Sequence, residues 1–135
     1  MSFRPLLLIC AALLLSACHF RGQNAAAEER VSLFHQLYDR EEFERLSGLT
    51  APEFQQATSP AAFASLMKSL REQLGEVERS ERRDWTVNYF PEARLTLTYV
   101  TEFDRGTAME TFTFDYDEPP RLINYNASVS AVRPR

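Results

Sequence analysis

Residues 95–114 read Leu-Thr-Leu-Thr-Tyr-Val-Thr-Glu-Phe-Asp-Arg-Gly-Thr-Ala-Met-Glu-Thr-Phe-Thr-Phe. Before the Asp104-Arg105-Gly106 turn, Leu95, Leu97, Tyr99, Thr101 and Phe103 alternate with Arg94, Thr96, Thr98 and Glu102. A repeat of two is the pattern of a strand with one buried face, and Asp-Arg-Gly is hairpin chemistry. Beyond the turn Ala108, Glu110, Phe112, Phe114 and Tyr116 share one face, with Met109, Thr111 and Thr113 on the other. The alternation continues on both sides. Residues 79–90 read as a strand whose apolar face is Trp85, Val87 and Tyr89, turned by Pro91-Glu92. Asp117-Glu118-Pro119-Pro120 makes a third turn, and Ile123, Tyr125, Ala127 and Val129 mark a fourth strand.

Upstream of Gly75 the period is 3.6. Ser59 is a good N-cap and Pro60 a good first helical residue. Phe63, Leu66, Met67, Leu70 and Leu74 then form one apolar stripe, with Lys68 on the far side and Gly75 closing the helix. Residues 28–39 predict an earlier helix with a broad face of Val31, Leu33, Phe34, Leu37 and Tyr38; Glu28 and Glu29 suit the positive end of its dipole. Phe43 and Leu46 predict a short helical turn ending at Gly48, so Asp39-Arg40 is either a bend or the middle of a longer helix. Thr50-Ala51-Pro52-Glu53 reads as a loop with Phe54 plugging the core. Residues 18–27 lack an apolar period and read as a tether, and residues 131–135 as a loose tail. Helices first and hairpin-linked strands afterwards predict an α+β domain over 28–130: N-terminal helices packed on a curved four-stranded antiparallel sheet.

That order resembles the cystatin-like and nuclear-transport-factor-2-like fold. It is also similar to a family of small bacterial domains, many secreted or lipid-anchored, without an assigned activity. The matching pieces are Leu74-Gly75, Tyr99 to Phe103, Gly106 to Glu110 and Leu122 to Tyr125, within residues 28–130. Arg121-Leu122 departs from the family, where a Trp often stands.

The N-terminus carries a second resemblance. One positive charge, Arg4, precedes an apolar run from Leu6 to Leu15, far short of the roughly 20 residues a spanning helix needs. A basic start, a short apolar core and small residues before a cut describe an export signal. Leu15-Ser16-Ala17-Cys18 resembles a bacterial lipobox. The resemblance implies removal of residues 1–17, a covalent lipid on Cys18 and tethering to a membrane. It also discards Cys10, so no disulfide is available to the mature chain. His19 after the cysteine, where an aspartate commonly retains lipoproteins at the inner membrane, implies the periplasmic face of the outer membrane.

Cleavage there leaves 118 residues with 14 basic and 19 acidic side chains, net −5. One domain fits that length. A mildly acidic chain gives no support to nucleic-acid binding. Among chemical candidates, His35 lies beside Val31 and Tyr38 with Asp39 four residues on, half a metal site or an acid–base pair. A zinc site needs three or four ligands, and neither HExxH nor a cysteine pair is present, so no metal or other cofactor is expected. Glu110 stands on an otherwise apolar strand face. Either it is buried or that part of the strand lies beyond the core edge; it is a carboxylate paired with an arginine such as Arg94, or a cavity carboxylate. The fold resemblance implies enzymes that use such a carboxylate as general base with a tyrosine hydroxyl as oxyanion donor, and Tyr99 and Tyr125 are the candidates. No GxSxG serine or glycine-rich phosphate loop occurs.

The expected function is a non-catalytic, lipid-anchored binding or envelope-assembly module with a protein partner in the cell envelope. The alternatives are an anchored isomerase or hydratase centred on Glu110, with His35 and Tyr99 as lesser candidates, and a carrier of a small apolar ligand.

Overall fold

The computed structural model describes the backbone of residues 4–134 and the side chains from residue 22 on. Helix α1 spans Arg4–Asp39, and α2 (Phe43–Leu46) follows with a 3-10 turn over Ser47–Leu49. Helices α3 (Pro52–Ala57) and α4 (Pro60–Leu74) lead into strands β1 (Val77–Asn88), β2 (Arg94–Phe103), β3 (Gly106–Phe114) and β4 (Leu122–Val132). The sheet is an antiparallel meander in the order β1-β2-β3-β4. Helices cover one face, as the change of period at Gly75 requires.

The hairpin of residues 94–114 pairs in the register its alternation demands: Leu97 opposite Phe112, Tyr99 opposite Glu110, Thr101 opposite Ala108. Leu95, Leu97, Tyr99, Thr101 and Phe103 are all buried, as are Ala108, Glu110, Phe112 and Phe114. On the helical side, the Ser59 hydroxyl accepts from the Ala62 amide at 3.2 Å. Gly75 ends α4 with φ +81°, and a Cβ there would sit 2.6 Å from Asp104 Oδ2. Only glycine fits this junction. It closes the lower end of the domain, where the Asp104 carboxylate accepts from the Glu76 amide at 2.8 Å and the Tyr38 hydroxyl donates to the Gly75 carbonyl at 2.9 Å.

Several expectations are corrected. Residues 18–27 are not an irregular tether, because α1 runs through them. Gln23 and Ala27 are buried at one-turn spacing before Val31 and Phe34; a polar residue at 23 hides the period. Of the two alternatives for Asp39-Arg40 the bend holds, completed by Glu41 at φ +59°. Only Thr50 and Ala51 of the expected 50–53 loop lie outside the helices; Pro52 and Glu53 open α3. Leu66, on the flank of the α4 stripe, is 49% exposed. Tyr89 lies past the end of β1 and is exposed too. In β4 a register shift between Thr113 and Phe114 pairs Phe114 with Leu122, so Leu122 enters the core where Ile123 was expected. β4 also continues through Ala131 and Val132, residues read as tail.

The core lies between α1, α4 and the inner sheet face, and it is aromatic. Phe34 meets Phe112 edge-on at 5.2 Å and Tyr125 at 4.9 Å; Phe63 meets Phe54 at 4.8 Å. Met67 and Phe63 are each 1% exposed, Lys68 faces solvent, and Leu70 is half-buried. Met67→Ala therefore destabilises the domain by about 2–5 kcal/mol. Lys68→Ala stays within about 0.5 kcal/mol, and Leu70→Ala falls between the two. Urea melts of the three variants measure this; equal midpoints would contradict the face assigned to α4.

Candidate functional site

Strand alternation drives Glu110 into the core, where its exposure is 1%. A bare carboxylate cannot stay there, since burying an unpaired charge costs several kcal/mol. Three elements supply partners. From α1, His35 Nε2 lies 2.8 Å from Glu110 Oε1. From β2, the Thr101 hydroxyl donates to the same oxygen at 2.6 Å. From β4, the Tyr125 hydroxyl donates to Oε2 at 2.6 Å. The rings around them are apolar: His35 stands edge-on to Phe112 at 5.9 Å and to Phe34 at 6.1 Å.

Burial pushes the Glu110 pKa up, but the hydrogen bond and charge of His35, with the Thr101 and Tyr125 hydroxyls, outweigh it and hold the carboxyl below the ordinary glutamate value. Tyr125 moves the other way. Burial first, then the Glu110 charge and hydrogen bond, raise its phenol well above the usual value, so it stays a donor. The unit is an ionised carboxylate with both oxygens engaged. Neither carboxylate oxygen is left without a hydrogen-bond partner.

Among the described residues, the cleft that adjoins Tyr125 is small. A cleft of about 90 Å³ between α3, α4 and β4 touches Tyr125 and Phe63, well under the 300–1,000 Å³ of ordinary ligand pockets. A groove of about 410 Å³ beside Phe43, Pro60, Ala64 and Lys68 contains none of the four polar residues.

The sequence candidates divide. His35 and Glu110, 75 positions apart, are brought together. Arg94 is not the partner of Glu110: its guanidinium bonds both Glu53 oxygens, at 2.8 and 3.3 Å, and Glu92. Nor does Asp39 serve His35, since its carboxylate accepts from the Val77 amide at 2.9 Å. Tyr99 faces inward beside Glu110, yet its ring packs edge-on to Phe112 at 5.9 Å. Burial, followed by the nearby Glu28 charge, pushes its phenol up to about 12. Tyr125, an equal candidate from sequence, donates its hydroxyl to Glu110 itself. Thr101 was a strand-face residue only; its signal was a polar side chain at an inward position in the strand beside Glu110. The Cys18 side chain lies outside the described residues. Among the described residues no three of His, Cys, Asp and Glu are grouped to hold a metal ion, and no helix is long and apolar enough to cross a membrane.

No family model matches the sequence, and no curated protein does. Among solved structures, the chain is similar to a crystal structure assigned as a scytalone dehydratase from Novosphingobium aromaticivorans. The TM-score is 0.54 at 10% identity, covering 87% of this chain and 96% of that one. The chain thus has the α+β architecture of the nuclear-transport-factor-2-like fold.

Replacing Glu110 by glutamine tests whether its bonds hold the fold. An amide cannot accept two hydroxyl donors and a histidine as the carboxylate does, so Glu110→Gln lowers stability by about 3 kcal/mol at neutral pH. Because the folded-state pKa lies below the unfolded one, the folded chain resists protonation. This stabilisation is complete above the ordinary glutamate value and disappears as pH falls through the lowered one. The gap between wild type and Glu110→Gln in chemical denaturation should therefore narrow as pH falls through the lowered glutamate value. A variant that melts higher than wild type at pH 7 would show the carboxylate to be strained, not structural.

Proposed function

We propose that this chain is a non-catalytic binding or assembly module, lipid-anchored through Cys18 on the periplasmic face of the outer membrane. The observation that carries the non-catalytic part is the aromatic packing of the interior among the described residues. Phe34, Phe63, Phe112 and Tyr125 occupy the space between helices and sheet, where an enzyme of this fold would need a cavity. Glu110, the best catalytic candidate, has both oxygens bonded. The anchor rests on the lipobox-like Leu15-Ser16-Ala17-Cys18.

With the helices covering the inner face, the surface left for a protein partner is the outer one. Thr96, Thr98, Thr111 and Thr113 lie across its centre, with a Thr96–Thr113 hydroxyl contact at 3.0 Å and Met109 51% exposed beside them. Hydroxyls with one exposed apolar side chain suit contact with another protein better than burial in a core.

A second reading is kept alive by one residue. Tyr125 donates to Glu110 and also lines the 90 Å³ cleft, so a widened cleft would put a hydroxyl, a carboxylate and an imidazole in one line. Such a site would serve a hydratase or isomerase, or a carrier of a small apolar ligand.

Two measurements decide between these. Palmitate labelling of the protein in a bacterial host should be lost in Cys18→Ser, because the thiol accepts the lipid; labelling that persists refutes the anchor. A photo-crosslinkable residue in place of Met109 should give one discrete protein adduct in intact cells. No adduct, together with a small apolar molecule co-purifying with the wild type and lost on Tyr125→Phe, would favour the carrier or enzyme.

A further inference from the structure

The turn between β1 and β2 is Tyr89-Phe90-Pro91, and its rings are bare. Phe90 is 91% exposed and Tyr89 69%. Trp85, 44% exposed, stands on the strand that leads there. From the β3–β4 connection at the same end of the sheet, Tyr116 comes up beside Tyr89: burial first, and then Tyr89, raise its phenol pKa. Aromatic side chains gathered at one tip, half apolar and half polar, are the composition of a membrane interface.

The direction of α1 is an independent observation. Asp39 accepts from the Val77 amide at the foot of β1, and Glu28 pairs with Arg82 five residues up the strand. Eleven helical residues and five strand residues each span about 16 Å, so helix and strand run antiparallel and side by side. Toward lower numbers the helix therefore heads for the end of β1 that carries Tyr89 and Phe90. Gln23, still buried, lies further along that path. Cys18 stands five positions before it, a reach of at most about 18 Å however the chain is arranged.

We propose that the β1–β2 turn is a second membrane contact. Tyr89 and Phe90 enter the interfacial layer of the bilayer in which the Cys18 lipid sits, and the domain stands with the β2–β3 turn away from the membrane. This rests on the anchored reading above, since the position of Cys18 fixes which end meets lipid. Charge tells which lipid. Glu92, Asp117 and Glu118 surround the tip and are exposed, while Arg94 and Arg121 are paired with Glu53 and Glu92, and with Asp115 and Asp117. No unpaired basic residue is present there among the described residues to seek anionic headgroups. The contact is apolar and interfacial, with zwitterionic lipid sufficient.

The test moves the chain's one tryptophan to the tip, as Trp85→Phe with Phe90→Trp. The full chain is produced in a bacterial host, extracted in detergent and reconstituted in phosphatidylcholine vesicles, with and without bromine on the acyl chains. Intact mass reads the lipid on Cys18 separately. The expected result is tip emission that shifts to the blue and is quenched only in brominated vesicles, with less quenching after Tyr89→Ser. A tryptophan placed instead by Val132→Trp, at the other end, stays unquenched. Equal tip emission in both vesicle types overturns the proposal whether or not Cys18 carries lipid, and points to a protein as the tip's partner. Quenching at Val132→Trp overturns the orientation. A quenched tip on a chain without acyl mass leaves the membrane contact standing and refutes the anchor alone.

Discussion

A carboxylate 1% exposed among Phe34, Phe112 and Tyr125 sets the terms for the rest of this molecule. Its charge must be met inside the core, and no single element can meet it. Thr101 comes from one neighbouring strand, Tyr125 from the next and His35 from the helix laid over them. The geometry of α1 against the sheet is therefore fixed by hydrogen bonds as well as by packing. A slip of α1 by one residue would carry His35 about 100° around the helix and leave the carboxylate with hydroxyls alone. Apolar side chains tolerate repacking far better than a buried polar network tolerates a missing member.

The same network bears on function. Charged groups buried in a core sometimes act as chemical centres and sometimes as devices that specify one arrangement. Here both carboxylate oxygens are bonded, the neighbouring space is filled by rings, and the adjoining cleft holds about 90 Å³. Those facts favour the structural role. They also shift attention to the surfaces the helices leave uncovered: a threonine-rich outer sheet face and an aromatic turn at one end. In the proposed arrangement the first meets a protein and the second meets lipid, so the interior specifies the shape and the exterior does the work.

How far residues alone could lead varied with the range of the interaction. The four strands were legible because a two-residue alternation is written locally, and the inward faces of β2 and β3 follow it without exception among residues 95–114. Helix α4 was legible from Ser59, Pro60 and Gly75, whose capping chemistry is local too. The part of α1 between residues 18 and 27 was not, because Gln23 breaks the apolar period although it is buried. β4 was half legible: a register shift beside Phe114 exchanges Ile123 for Leu122, and such shifts are set by the partner strand.

Glu110, His35 and Tyr125 were each marked from sequence by chemistry and strand or helix position, but their meeting was not. Arg94 was the expected partner on grounds of charge, yet in this register it lies on the outer face, on the other side of the sheet from Glu110. The sequence by itself determined the architecture, the strand face on which one carboxylate stands and the lipobox-like cysteine from which the anchor is inferred, since each depends on neighbours within a few residues. Only the tertiary structure decided that Glu110 bonds His35, Thr101 and Tyr125, that Phe34, Phe63, Phe112 and Tyr125 pack together beside it, and that Tyr89 and Phe90 share an end of the domain with the path toward Cys18. Those outcomes depend on how α1 lies across the sheet, a relation between segments tens of residues apart that no local pattern encodes.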